Sequence, residues 1–92
     1  MPDLLRLPDV MRRTGHARST VYLMVERGLL PKAVKISERA SAWPSDEIDA
    51  VNAARIAGKG DDDVRKLIEQ LERNREELEK AQRRIERLPN NA

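Results

Sequence analysis

The stretch PDVMRRTGHARSTVYLMVERG, Pro8 to Gly28, decides the fold. Pro8 suits a first helical turn, where its missing N–H is not needed, and Asp9 favours a helix's positive end. A short helix is therefore expected over about 8–13, with Val10 and Met11 turned inward. Thr14-Gly15-His16 interrupts it, because Gly15 supplies a turn conformation that other residues adopt only at a cost. A second helix is expected from about Arg18 to Arg27, burying Val21, Met24 and Val25 at i, i+3, i+4 spacing. Gly28 closes it at the C′ position. Two helices about a tight glycine turn make a helix-turn-helix.

Downstream of Leu29-Leu30-Pro31, the run Ala33-Val34-Lys35-Ile36 alternates apolar and polar residues as a half-buried strand does. Ser37-Glu38-Arg39 can turn the chain, and Ala40-Ser41-Ala42-Trp43 returns it to complete a two-stranded hairpin. Pro44 ends the strand. Ser45 is suited to N-cap a third helix, with Asp46 and Glu47 in its first turn and Ile48, Val51 and Ala54 facing inward, to about Ala57. The expected class is mainly α with a small β-hairpin: a winged helix-turn-helix over residues 1–57. Alone, a head of that size buries little surface and is marginally stable.

Gly58-Lys59-Gly60-Asp61-Asp62-Asp63 marks the boundary, a linker and helix cap over 58–63. Residues 64–92 then form a C-terminal amphipathic segment, with one long helix from about Asp62 to about Leu88 and a frayed tail from Pro89. Leu67, Leu71, Asn74, Leu78, Ala81, Ile85 and Leu88 step by alternating four and three residues, a heptad seam broken by Asn74. This points to self-association through Leu71, Leu78 and Ile85. The alternative is that Val64, Leu67, Ile68 and Leu71 pack back on the head. Glu69/Arg73, Glu76/Lys80 and Glu79/Arg83 are spaced to pair at i, i+4.

Composition narrows the chemistry. The 92 residues are 39% apolar and 37% charged, with one Trp, one Tyr and no Phe, which excludes an aromatic-rich core. The net charge of +2 is unevenly spread: +4 over residues 1–44, −2 over 45–57 and zero over 58–92. The basic excess thus lies in the helix-turn-helix and wing. There is no Cys and a single His, His16, which removes disulfides, thiol chemistry, Cys-ligated zinc and His-pair metal sites. Asp61 to Asp63 suit a helix start better than chelation, and EF-hand spacing is missing. No enzymatic activity, metal or cofactor is expected. No apolar run approaches the roughly 18 residues of a membrane span, and MPDLLRLPDV lacks the apolar core of a signal peptide. A cytoplasmic protein without a membrane partner is expected.

Leu5-Arg6-Leu7-Pro8-Asp9-Val10, Thr14-Gly15, Arg18-Ser19-Thr20-Val21-Tyr22, Gly28-Leu29-Leu30-Pro31, Val34-Lys35-Ile36 and Arg39-Ala40-Ser41-Ala42-Trp43 together resemble the AlpA family. Those are DNA-binding regulators encoded by phages and mobile elements, related in fold to MerR-type winged helices and phage excisionases. The resemblance covers about residues 4–57. It departs at Ala17, where the family often has Ser, near Val51, where it often has Trp, and at Leu23, a position frequently basic. It implies a double-stranded DNA partner and a role in transcription regulation or as a recombination directionality factor assisting an integrase; neighbouring protomers are expected to self-associate on DNA.

Recognition helices set their first residues on base edges and phosphates. That singles out Arg18 for guanine, Ser19 and Thr20 for phosphate or a base edge, and Tyr22 for phosphate. Plain capping by the hydroxyls and plain packing of the Tyr22 ring are the structural alternatives. Lys35, Ser37 and Arg39 would form a wing along phosphates or the minor groove, although Arg39 can instead brace against Asp46 or Glu47. Arg27 and Lys32 are backbone-contact candidates, or simply solvated. Two other functional classes fit a winged head joined to a helix: a phage small terminase subunit for DNA packaging, and a coiled-coil interaction module.

Overall fold

The computed structural model describes residues 3–86. Its elements run β1 (Leu4–Leu5), α1 (Leu7–Thr14), α2 (Arg18–Glu26), β2 (Val34–Ser37), β3 (Ala40–Pro44), α3 (Ser45–Ile56) and α4 (Asp61–Glu86). This is the expected mainly helical architecture: a winged helix-turn-helix head followed by a long helix. The end of the C-terminal segment, including Leu88 and the tail from Pro89, lies outside the described residues.

The punctuation in the sequence sets the first two helices. Arg6 is the N-cap of α1, and its carbonyl accepts the Val10 N–H at 3.1 Å. Gly15 ends the helix at φ 75°, donating to the Met11 carbonyl at 2.9 Å. Thr14 staples the turn: its hydroxyl donates to the Val10 carbonyl at 2.7 Å and accepts the His16 N–H at 3.4 Å. At the far end of α2, Gly28 at φ 73° lets the Leu29 N–H reach back to the Met24 carbonyl at 2.8 Å. That is the Schellman closure expected of a C′ glycine.

The hairpin is present, and β3 is the centre of a three-stranded antiparallel sheet in the order β1-β3-β2. Leu5 pairs with Trp43, Val34 with Ala42 and Lys35 with Ser41, and a bulge at Ile36 shifts the register before Ser37 meets Ala40. Strand β1 was not foreseen, because two residues carry no period. Its anchor corrects the reading of Ser45. The N-cap of α3 is Pro44, without a side-chain cap, and the Ser45 hydroxyl instead accepts the Asp3 N–H at 2.8 Å. The Ser45 N–H returns to the Asp3 carbonyl at 2.7 Å. A buried hydroxyl beside an incoming strand end is thus taken up by the strand rather than by the helix.

One core joins the elements. Val10, Val21, Leu30, Trp43, Ile48 and Val51 are buried at its centre, and Val64 and Ile68 of α4 are buried with them. Trp43 satisfies its one polar atom by donating to the Pro31 carbonyl at 2.8 Å. Gly58, at φ 85°, ends α3, and the Gly60 carbonyl accepts the Val64 N–H at 3.0 Å to begin α4.

The heptad seam is therefore divided. Leu71 lies half-buried against the core, whereas Leu78 and Ile85 are 72% and 61% exposed. Asn74 accepts a hydrogen bond from Gln70 within its own helix at 2.9 Å. Of the three expected i, i+4 pairs, Glu79–Arg83 forms. Lys80 turns to Glu77 rather than Glu76, and Arg73 donates to Gln70 rather than meeting Glu69. All of these side chains are exposed, where alternative pairings differ by only tenths of a kcal/mol (~0.3).

Candidate nucleic-acid interface

Three elements converge on one groove. The start of α1, the exposed face of α2 and the inner face of the wing enclose about 470 Å³, lined by Arg6, Arg18, Tyr22, Arg39, Ser41 and Trp43 among others. Arg18 and Tyr22 are four residues apart and so share a face of α2. Arg39 comes from the hairpin turn and Arg6 from the N-cap of α1.

Salt-bridge partners distinguish the groove arginines from several on the rest of the head, although Arg27, Arg73 and Arg84 are also without a carboxylate partner among the described residues. Arg12 pairs with Asp9, Arg13 with Asp49 at 3.0 Å and Arg55 with Asp61 at 2.9 Å. Arg6, Arg18 and Arg39 have no carboxylate within salt-bridge distance among the described residues. Their charge is uncompensated and directed at one concave surface. Such a surface raises the local concentration of polyanions, because a concave surface lined by one sign of charge focuses its field.

The remaining sequence candidates divide. Ser19 is exposed and Thr20 half-buried on α2. The N-cap is Ala17 with no side-chain cap, and neither hydroxyl makes a hydrogen bond among the described residues. Tyr22 is half exposed, so its ring is not committed to the core. Lys35 is paired across the ladder with Ser41 and stands on the same face of the sheet, but it does not line the groove. Ser37 lies beyond the bulge, next to the turn.

Of the nine candidates, Arg18, Tyr22 and Arg39 line the groove; Ser19, Thr20, Lys35 and Ser37 do not, nor do Arg27 and Lys32. Arg27 is nine residues after Arg18, half a revolution round α2, and lines a separate cleft with His16, Asn52 and Arg55. Lys32 lies at the foot of the wing with both backbone groups bonded by α4. The alternative brace of Arg39 against Asp46 or Glu47 does not form: no salt bridge to either is present among the described residues. Glu47 is taken by Arg75, whose Nε lies 2.8 and 3.2 Å from its two carboxylate oxygens.

Arg6 lines the groove but was not among the sequence candidates. Its place before Pro8 puts it at the N-terminus of α1, but no sequence signal points from there to the groove, which forms only when α1 packs beside α2. Among the described residues, no group of three or more His, Asp or Glu side chains is gathered to hold a metal. Nor is any helix long and apolar enough to cross a membrane.

Residues 3–55 match the model of the family described as "Prophage CP4-57 regulatory protein (AlpA)". The match spans β1 to nearly the end of α3, includes every groove residue, and stops before α4. The chain is also 38% identical over 64 residues to "Uncharacterized protein ORF88" of Enterobacteria phage P4, covering 64% of this chain and 73% of that protein. No solved structure matches the chain.

Proposed function

The chain belongs to the AlpA family of prophage regulatory proteins, and from that membership we propose that it is a sequence-specific double-stranded DNA-binding protein. It acts without enzymatic chemistry. The observation that carries this reading is the convergence of Arg6, Arg18 and Arg39, none with a carboxylate partner among the described residues, on the groove between recognition helix and wing.

In this reading α2 enters the major groove by its N-terminal end. Arg18 donates bidentately to guanine, Ser19 and Thr20 reach phosphate or a base edge, and the Tyr22 hydroxyl donates to phosphate. Lys35, Ser37 and Arg39 lie along the backbone flanking the site, and Arg6 adds a phosphate contact from the opposite wall. Arg27 and Lys32 contribute at most peripheral backbone contacts. Binding bends the DNA, and the protein serves a phage or mobile element as an excisionase, a transcription regulator or both. An integrase is the expected partner for excision, and neighbouring protomers associate on DNA through the exposed Leu78 and Ile85.

Footprinting on the element's attachment site and on the gene's own promoter tests the proposal. Discrete, salt-sensitive protection supports it. Absence of protection on both, down to low ionic strength, overturns it. Loss of protection when Arg18 is replaced assigns the reading head to α2.

A further inference from the structure

Residues 27–33 are the covalent link between α2 and the strand that begins the wing, and α4 grips this link at both ends. Arg65 Nε donates to the Arg27 carbonyl at 3.0 Å. Ten residues further along the same helix, Arg75 Nη2 donates to the Lys32 carbonyl at 2.8 Å. Glu72 accepts the Lys32 N–H at 3.4 Å. The two arginines are thus about 15 Å apart along a rigid rod, which spans the link like a splint.

Arg75 is itself immobilised. Its Nε and Nη2 both donate to the carboxylate of Glu47, whose side chain is only 7% exposed. A planar guanidinium can serve the two carboxylate oxygens and a nearby carbonyl in one fixed geometry, which a lysine ammonium cannot reproduce. Strand β2 begins two residues beyond Lys32, so the direction in which the wing leaves the head is set next to this clamp. Arg18 on α2 and Arg39 on the wing face the same groove. The wing's direction therefore decides whether both reach one duplex together.

We infer that α4 is a positioning element for the DNA-binding face: Arg75, held by Glu47, fixes the Lys32 carbonyl and thereby the angle of the wing relative to the recognition helix. This inference rests on the DNA-binding reading above and gives the C-terminal helix a role within each protomer. Arg75 touches no DNA; it acts through Lys32.

The test is a set of double-mutant cycles on the full chain, read on a short duplex selected from a random-sequence library by the wild-type protein. Arg18→Ala and Arg39→Ala are each measured in the wild-type, Arg75→Ala and Arg75→Lys backgrounds, at a temperature where circular dichroism shows the chain folded. Arg75→Lys keeps a cation beside Glu47 and serves if Arg75→Ala does not fold. In the wild type, Arg39→Ala is expected to lower affinity about fivefold or more, and in the Arg75 backgrounds less than about twofold. Arg18→Ala keeps its full effect throughout. A purely structural loss scales all affinities by the folded fraction and leaves both arginine effects intact. That outcome overturns the inference while DNA binding stands, as does an Arg39→Ala variant without effect in the wild type. If the wild type selects no duplex, the DNA-binding reading falls first and the inference with it.

Discussion

Arg75 and Glu47 form a bidentate ion pair between the middle of α4 and the first turn of α3, 28 residues apart in sequence. The carboxylate is buried, and no other cation meets it among the described residues. Burying it alone would cost several kcal/mol (~3–5). The pair therefore makes α4 obligatory to the head.

Arg75→Ala should destabilise the chain by about 2–3 kcal/mol, somewhat below the full penalty for a buried pair because Arg75 is itself partly exposed. Replacing both partners, Glu47→Leu with Arg75→Leu, should recover part of the loss, since no unpaired charge remains. Urea midpoints of the three variants check this. A double variant no more stable than Arg75→Ala would mean that packing, not charge burial, sets the cost.

Val64 and Ile68 are buried in the same core as Val10 and Ile48. Ile68→Ala should cost about 2–4 kcal/mol through lost transfer energy and a residual cavity. A chain ending at Lys59 loses both side chains together with the Arg75 pair, and should lose its cooperative thermal transition. One ending at Glu77 keeps all three and should melt close to the full chain. Equal melting of the two truncations would refute the shared core.

The helix-turn-helix was legible because Pro8, Gly15 and Gly28 are local punctuation: each determines backbone geometry whatever surrounds it. The hairpin and α3 followed from alternation and from the acids after Pro44. Long-range relationships were not legible. Ser45 looks like a cap until an incoming strand offers Asp3, and Glu47 looks like a dipole acid until α4 returns Arg75. The groove was half visible. Arg18, Tyr22 and Arg39 could be named from motif position, but only the packing of α1 beside α2 brings Arg6 to them.

Ser45→Ala should cost about 1 kcal/mol by removing the acceptor for the Asp3 N–H while leaving the α3 N-terminus unchanged. Amide exchange distinguishes this from a lost cap. Protection should fall at Asp3 and across β1, and stay unchanged at Glu47 and Ile48. Faster exchange in the first turn of α3 instead would restore the capping role to Ser45.

Arg18→Ala should weaken specific DNA binding by about 1–3 kcal/mol and relax preference at one base position. Arg6→Ala and Arg39→Ala should weaken all duplexes alike and lower the salt slope by about one each, as expected of phosphate contacts. Mobility shifts at several salt concentrations, on matched and mismatched sites, separate the two signatures. A sequence-dependent effect at Arg6 would move base reading from α2 alone to both walls of the groove.

Leu78 and Ile85 test what the distal half of α4 does. Both are exposed on the far side of the Arg75 clamp, so Leu78→Lys with Ile85→Lys should change stability by less than about 0.5 kcal/mol. Single-site affinity should also survive, because Arg6, Arg18 and Arg39 are untouched. Occupancy of adjacent sites is different. It depends on coupling between protomers, and a loss of about 1.4 kcal/mol in that coupling lowers it tenfold. If the exposed apolar residues supply the coupling, the double variant should bind one site normally and fail to form higher complexes on duplexes with two and three sites. If the heads touch along the DNA instead, the ladder of complexes remains intact, and the distal helix is left free for a different partner such as an integrase.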